Sequence, residues 1–468
     1  MADKNENIIL RNVKIEGVEY IQILSVDINH SANEYASATL NLIMKKETAQ
    51  KFLEQANADK IKILIDKKVV FQGYISNLIL TQVTDYFTMR INLFDAAWLL
   101  DWKVSNCSFQ NLKSKYEEIF KTVKDAKIQL KVTDKEIEKV ILRLNETDWQ
   151  FVKRLASHFS AMIFTDLTAE KPLLTIGLPE SKKTVTVDSA QSITYYFDDK
   201  QFQIFNANAD ILAKGVKIVA EDFQTVEIVG NFEILNIGDT VKLNKKEYRV
   251  KSLNFTFVEN ILRTRYKLVG KSAFVTAIEI QKNLAGKIFR AQVKKVEKDK
   301  IQAHLVDIDK TFDSKTTAMY PFATPYSSTD GSGWYVMPEV DDYVRISFPE
   351  VDTSKAFALS SINTAPLKEP KNKSLKAPGG REILLTDKGV EIIAEHQKTF
   401  ILLNKDKGIN IVSAKDINIS ADGNISFDAK GKVQIVSGKE IAVQSGQSHM
   451  KILSNQIDMG GSNIIVGE

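Results

Sequence analysis

The stretch Ile401-Leu402-Leu403-Asn404-Lys405-Asp406-Lys407-Gly408-Ile409-Asn410-Ile411-Val412-Ser413-Ala414-Lys415-Asp416-Ile417-Asn418-Ile419 sets the architecture of the C-terminal region, because its apolar residues return every eight positions. The column runs Ile401, Ile409, Ile417, Ile425, Val433, Ile441, His449, Ile457, Ile465, and a second column two residues later runs Leu403, Ile411, Ile419, Phe427, Ile435, Val443, Lys451, Met459, Gly467. A spacing of two puts both residues of an octad on one face of a strand, and β-branched side chains suit that pleated surface. The remaining positions carry turn residues, as in Ala421-Asp422-Gly423-Asn424 and Lys430-Gly431-Lys432. Eight residues reach at most roughly 26 Å, too little to encircle a core of their own. Other chains must supply the missing walls, and three copies wound into a triangular β-prism are the economical solution. An antiparallel meander packed on another surface is the competing arrangement. At ~4.8 Å per octad, about ten octads give a needle of roughly 50 Å. The trimer core then comprises Ile401, Ile409, Ile411, Ile417, Ile419, Ile425, Phe427, Val433, Ile435, Ile441, Val443, Ile457 and Met459.

His449 and Lys451 break the columns. On a threefold axis they would gather three imidazoles and three amines, prohibitive without partners. Either the register slips around Gly446-Gln447-Ser448, or His449 marks an axial site holding water or an ion.

The chain has 468 residues, 44% hydrophobic and 26% charged, enough for three or more domains with real cores. The net charge of +4 is dispersed, so no basic stripe argues for nucleic acid. A lone Cys107 excludes a disulfide framework. The N-terminus lacks the apolar core of a signal peptide and no run is long enough to span a membrane, which predicts synthesis in a cytoplasm without a signal peptide.

Residues 1–100 alternate in short runs such as Phe87-Thr88-Met89-Arg90-Ile91-Asn92-Leu93, the pattern of a small β-barrel. Within 101–190 the period changes. Leu112, Tyr116, Ile119, Phe120 and Val123 are spaced for a helix, and Thr147-Asp148-Trp149-Gln150 is a capping-box pattern ahead of Trp149, Val152, Leu155 and Phe159. Asp148 therefore reads as a cap residue rather than a catalytic acid. Strands return over 191–280, where Lys245 to Leu253 echoes Lys67 to Ile75. Residues 281–365 suit a five-stranded oligonucleotide/oligosaccharide-binding (OB) barrel, a fold that does not itself imply nucleic acid. Tyr326, Trp334 and Tyr335 lack a flanking basic groove, so core and loop packing is their expected role. Residues 366–380 hold Pro366, Pro370 and Pro378 and read as a linker to a proline-free region, 381–468, as a hydrogen-bonded strand stack requires.

Three segments carry a family resemblance. Gly331-Ser332-Gly333-Trp334-Tyr335-Val336-Met337-Pro338-Glu339-Val340-Asp341-Asp342-Tyr343-Val344-Arg345-Ile346, with Ala358 to Ile362, resembles the OB barrel of VgrG-type spike proteins. Asn145 to Leu155 resembles the helix signature of their phage-tail-hub-like region, and Phe71-Gln72-Gly73-Tyr74-Ile75 is similar to their first hub barrel. With the octads, the order of parts covers nearly the whole chain. Asp341 departs from the pattern, standing where a turn glycine is expected. The resemblance implies a mainly β fold with a small α+β insertion: phage-tail-hub-like β-barrels, an OB-fold collar and a C-terminal intertwined trimeric β-helix.

It also implies the homotrimeric central spike of a contractile injection apparatus, of the type VI secretion, extracellular injector or phage-tail kind. The hub would adapt a sixfold inner tube to a threefold membrane-piercing needle within a baseplate. The trimer would carry effector cargo or a PAAR-type tip protein on Asn463, Ile464, Ile465 and Val466, an apolar triangle in a trimer. Assembled in this way, it would be expelled into the extracellular space or a target cell.

The rival is a spike with a cell-wall hydrolase or glycan-binding adhesin role. Glycoside cleavage needs two carboxylates across a cleft. The 366–380 interval offers only Glu369 and no room for a domain, and no effector domain is expected after residue 468. His30, His158, His304, His396 and His449 show no metal or triad spacing, and no P-loop, nucleophile elbow or dinucleotide fingerprint occurs. The expectation is a mechanical protein without catalytic residues or cofactors.

Overall fold

The computed structural model describes residues 11–55, 60–187, 190–230, 233–363 and 369–465. The chain divides into two units, residues 1–364 and 365–468.

The first unit opens with strands β1 (Val13–Glu16), β2 (Gln22–Ser31) and β3 (Ser37–Met44), helix α1 (Lys46–Gln55), and strands β4 (Lys60–Ile65), β5 (Lys68–Val83) and β6 (Tyr86–Phe94). Alternation sends Ile61, Ile63, Met89, Ile91 and Leu93 into one core. The β4–β5 hairpin turns on Asp66 and Lys67, both at positive φ, the mirror-image turn whose twist matches the flanking strands.

The insertion follows, with β7 (Val104–Phe109), α2 (Tyr116–Phe120), β8 (Lys127–Leu130), β9 (Ile141–Thr147), α3 (Asp148–Ser157), β10 (Ile163–Thr165) and β11 (Leu173–Ile176). The helix expected from Leu112 to Val123 shrinks to α2. Leu112 donates its backbone N–H to Thr317 Oγ1 at 2.9 Å and packs beside the OB core instead. The capping box forms, but Thr147 is the cap. Asp148 opens the helix and pairs with Arg143 at 2.6 Å, which corrects its expected role.

The second barrel comprises β12 (Thr184–Thr186), β13 (Ser192–Tyr196), α4 (Lys200–Ala207), β14 (Thr225–Gly230), β15 (Thr240–Leu243), β16 (Lys246–Val258) and β17 (Ile261–Val269). Its strands lie in the order β12-β15-β16-β17-β14-β13, the same permutation as β1-β4-β5-β6-β3-β2 in the first barrel. The β15–β16 turn, Asn244-Lys245, repeats the positive φ pair of Asp66-Lys67, so the local sequence echo is a structural equivalence. Antiparallel pairing of β2 with β16 joins the barrels into one 12-stranded sheet.

The last part of the unit is a five-stranded sheet, β20-β19-β18-β21-β22, built from β18 (Lys287–Glu297), β19 (Lys300–His304), β20 (Tyr320–Pro321), β21 (Tyr343–Phe348) and β22 (Phe357–Ile362). A parallel bridge between Phe322 and Ala358 brings its ends together. Val140, Leu142 and Leu144 of the insertion share its core, which ties the two parts into one body.

The second unit is all β. One antiparallel meander holds β23 (Lys373–Lys376), β24 (Glu382–Thr386), β25 (Gly389–Glu395), β26 (Thr399–Asn404) and β27 (Gly408–Val412); another holds β28 (Glu440–Ser445), β29 (Ser448–Leu453) and β30 (Ile457–Gly460). β23 falls inside the interval expected to be linker, because Ser374 and Leu375 find a ladder on β24. The chain is thus mainly β with a small α+β insertion. Within one chain the octads form hairpins rather than a continuous helix, and no strand forms between Val412 and Glu440.

Candidate assembly interface

Cross-strand register gathers the apolar columns. One row runs Leu375, Ile383, Ile392, Ile401, Ile411, and the next runs Leu385, Val390, Leu403, Ile409, each residue directly opposite its neighbour. Both rows lie on one face of the meander. Among the described residues of this unit nothing covers that face: Ile409 is 69% exposed and Ile411 56%. Among the described residues of this unit only Ile393 is a buried hydrophobic. A sheet with one long apolar face and no core of its own marks an interaction surface.

The columns continue through the segment without strands. Ile417, Ile419, Ile425, Phe427, Val433 and Ile435 are all exposed there. In the second meander the phase changes. Ile441, Ile452 and Ile457 are in register, as are Val443, Met450 and Met459. Met450 and Ile452 therefore take the apolar face, while His449 lies opposite Gly460 and Lys451 opposite Asp458 on the reverse face. The His449 ring sits against Gly460, 3.7 Å from the Asp458 carboxylate. Among the described residues no cluster of three or more His, Cys, Asp or Glu could hold a metal.

Of the expected tip residues, Asn463, Ile464 and Ile465 are exposed, Ile465 by 91%, and Val466 lies outside the described residues. Tyr326, Trp334 and Tyr335 also stand exposed, correcting the expected packing. The bridge Ser327–Gly333 and the Trp334 N–H to Tyr326 carbonyl bond hold this loop on its own backbone, leaving the rings outside.

Two perturbed ionisable groups of the first unit, Asp95 and His30, belong to one buried network. Asp95 is buried, which pushes its carboxyl up to about 6, while it accepts N–H bonds from Ala36 and Ala97 and the Thr165 hydroxyl. Thr165 also lies 3.0 Å from His30 Nε2, and burial lowers that imidazole to about 3. This network ties β2, β10 and the turn after β6 together, a link between distant segments that no local motif announces. Among the described residues no helix is long and apolar enough to cross a membrane.

The sequence matches no family profile, and no curated protein matches it significantly. Solved structures do. The c3393 protein of E. coli, described as a type VI secretion component structurally similar to the T4 bacteriophage tail proteins gp27 and gp5, superposes with a TM-score of 0.54 at 12% identity, covering 75% of this chain and 100% of that one. A chain of the lidded Francisella PdpA-VgrG complex gives 0.54 at 11% identity, covering 86% of this chain and 79% of that chain. The lidless complex gives 0.52 at 11%, covering 86% and 98%. The fold is that of these VgrG-type and phage-tail-like proteins.

Proposed function

We propose that three copies of this chain form the central spike of a contractile injection apparatus. The uncovered apolar face of β23–β27, continuous with the octad columns, carries this reading. In a trimer, Ile401, Ile409, Ile411 and the columns beyond them face a shared axis, each side chain gaining at most about 1.5–3 kcal/mol, in proportion to the area still exposed. Strands from neighbouring chains supply the ladders missing between Val412 and Glu440. Such a needle has a dry, closed core and resists buckling, as a membrane-piercing shaft must. The two like barrels of each chain give six similar modules per trimer, matched to a sixfold inner tube held in a baseplate. Exposed Ile464 and Ile465 suit a small conical PAAR-type tip protein, and effectors ride on the same assembly. The task is mechanical and needs no catalytic group or cofactor.

Solution mass by light scattering tests this. The full chain is expected at three times its 52.7 kDa mass, and deletion of residues 381–468 should lose or weaken the trimer. Removing residues 463–468 should keep the trimer and abolish binding of a tip protein. A monomeric full chain would refute the spike; tip binding retained after trimming would refute the tip site.

A further inference from the structure

At the seam of the first barrel, the insertion and the second barrel lies a cavity of about 500 Å³. Its walls include His30 of β2, Asp166 and Thr168 after β10, Thr175 of β11, and Asp239 ahead of β15.

The hydrogen bonds around His30 fix where its proton sits. Asp95 accepts the N–H groups of Ala36 and Ala97, and the Thr165 hydroxyl donates to its Oδ2 at 2.6 Å. A hydroxyl has one proton, so Thr165 offers only a lone pair to His30 Nε2 at 3.0 Å, and Nε2 must carry the imidazole proton. Nδ1 is then a bare acceptor. It is buried without a hydrogen-bond partner, in a residue that is 4% exposed. A buried acceptor left unmatched costs about 1–3 kcal/mol, so the site calls for a donor.

The surroundings narrow the kind of donor. The charge that acts on the His30 ring is the Asp166 carboxylate. Its Oδ1 accepts the backbone N–H and the hydroxyl of Thr168 at 2.9 and 2.8 Å, while its Oδ2 has no partner among the described residues. The other charges at the cavity are engaged elsewhere. Asp239 takes the N–H groups of Lys182, Lys183 and Asn236, Glu180 pairs with Lys131 at 3.2 Å, and Lys182 is exposed to solvent. One neutral and one anionic acceptor are left together, a pair that fits a positively charged N–H donor. A metal ion fits less well, because among the described residues no three His, Cys, Asp or Glu come together.

We infer that this cavity binds a small primary amine, whose ammonium group donates to Asp166 Oδ2 and His30 Nδ1. The Thr168 and Thr175 hydroxyls on the wall suit a ligand with further polar atoms. Such a ligand bridges β2 and the turn after β10, and so bears on the joint between barrel and insertion. The site lies within one chain, so its test is independent of the trimer.

Ligand-observed saturation-transfer NMR on the full-length chain tests it, with putrescine as the amine and butane-1,4-diol as a neutral molecule of the same length. Putrescine is expected to receive saturation and the diol to receive none. Asp166→Asn keeps the Oδ1 that accepts from Thr168, and should weaken putrescine binding by about tenfold or more with a near-native thermal midpoint. Glu170→Gln removes the same charge from a nearby exposed position and should leave binding unchanged. No transfer to putrescine leaves His30 Nδ1 to an ordinary water and overturns the site. Equal transfer to the diol, unchanged affinity in D166N, or an equal loss in E170Q overturns it as well. The contrast between the two probes is read on the native chain, so it stands even where D166N does not fold.

Discussion

Asp341 stands in left-handed backbone, φ 73°, in the turn ahead of β21, where the spike pattern carries glycine. The turn geometry therefore persists with an L-residue, and Asp is among the few side chains that tolerate that region. Its ion pair with Lys294 at 3.0 Å leaves the Asp341 carboxylate mostly exposed and contributes little. Asp341→Gly is expected to raise stability by about 0.5–1 kcal/mol, seen as a higher urea midpoint, because relief of the left-handed strain exceeds the added chain entropy. His158 gives a pH prediction. Burial, then the neighbouring Arg154 and Lys135 cations, lower its pKa to about 4, and its Nδ1 lies 2.8 Å from the Tyr116 hydroxyl. The folded pKa lies below the unfolded one, so the unfolded chain binds more protons between about 6.5 and 4. The stability contribution is present above about pH 6.5 and is lost as pH falls toward 4. The thermal midpoint should drop between pH 7 and pH 4.5, and drop less in His158→Gln.

Among the elements, the hairpins of the second unit depend on close backbone approach. At Gly389 a Cβ would stand 1.8 Å from the Leu403 carbonyl oxygen, so no side chain fits without opening the β25–β26 ladder. Gly389→Ala should destabilise this meander by on the order of 3 kcal/mol, measured as faster proteolysis near residues 386–390 with residues 1–364 unaffected. Period-two alternation made most strands legible, and the Thr147–Gln150 box announced α3. Helices α1 and α4 were not legible. Each is short, and only Ala49 and Phe52 of α1 and Phe205 of α4 are buried, too few apolar positions to show a helical period. The phase change at β29 was legible as an anomaly, since His449 and Lys451 interrupt an apolar column. Which residues replace them depended on pairing, which put Met450 and Ile452 beside Val443 and Ile441.

At the scale of the whole molecule, the duplicated strand order is the feature with most consequence. A local echo, Lys67 to Ile75 against Lys245 to Leu253, hinted at it, but the permutation appears only when strands far apart in the chain are seen side by side. The sequence by itself determined the apolar octad columns, the alternation of most strands, the start of α3 and the mainly β class. All of these follow from short-range spacing, which the pleat of a strand or the pitch of a helix converts directly into a face. Only the tertiary structure decided that β2 joins β16, and that Asp95, Thr165 and His30 meet. Those contacts join residues tens to hundreds of positions apart, and hydrogen-bond complementarity between remote backbones leaves no periodic trace in either segment.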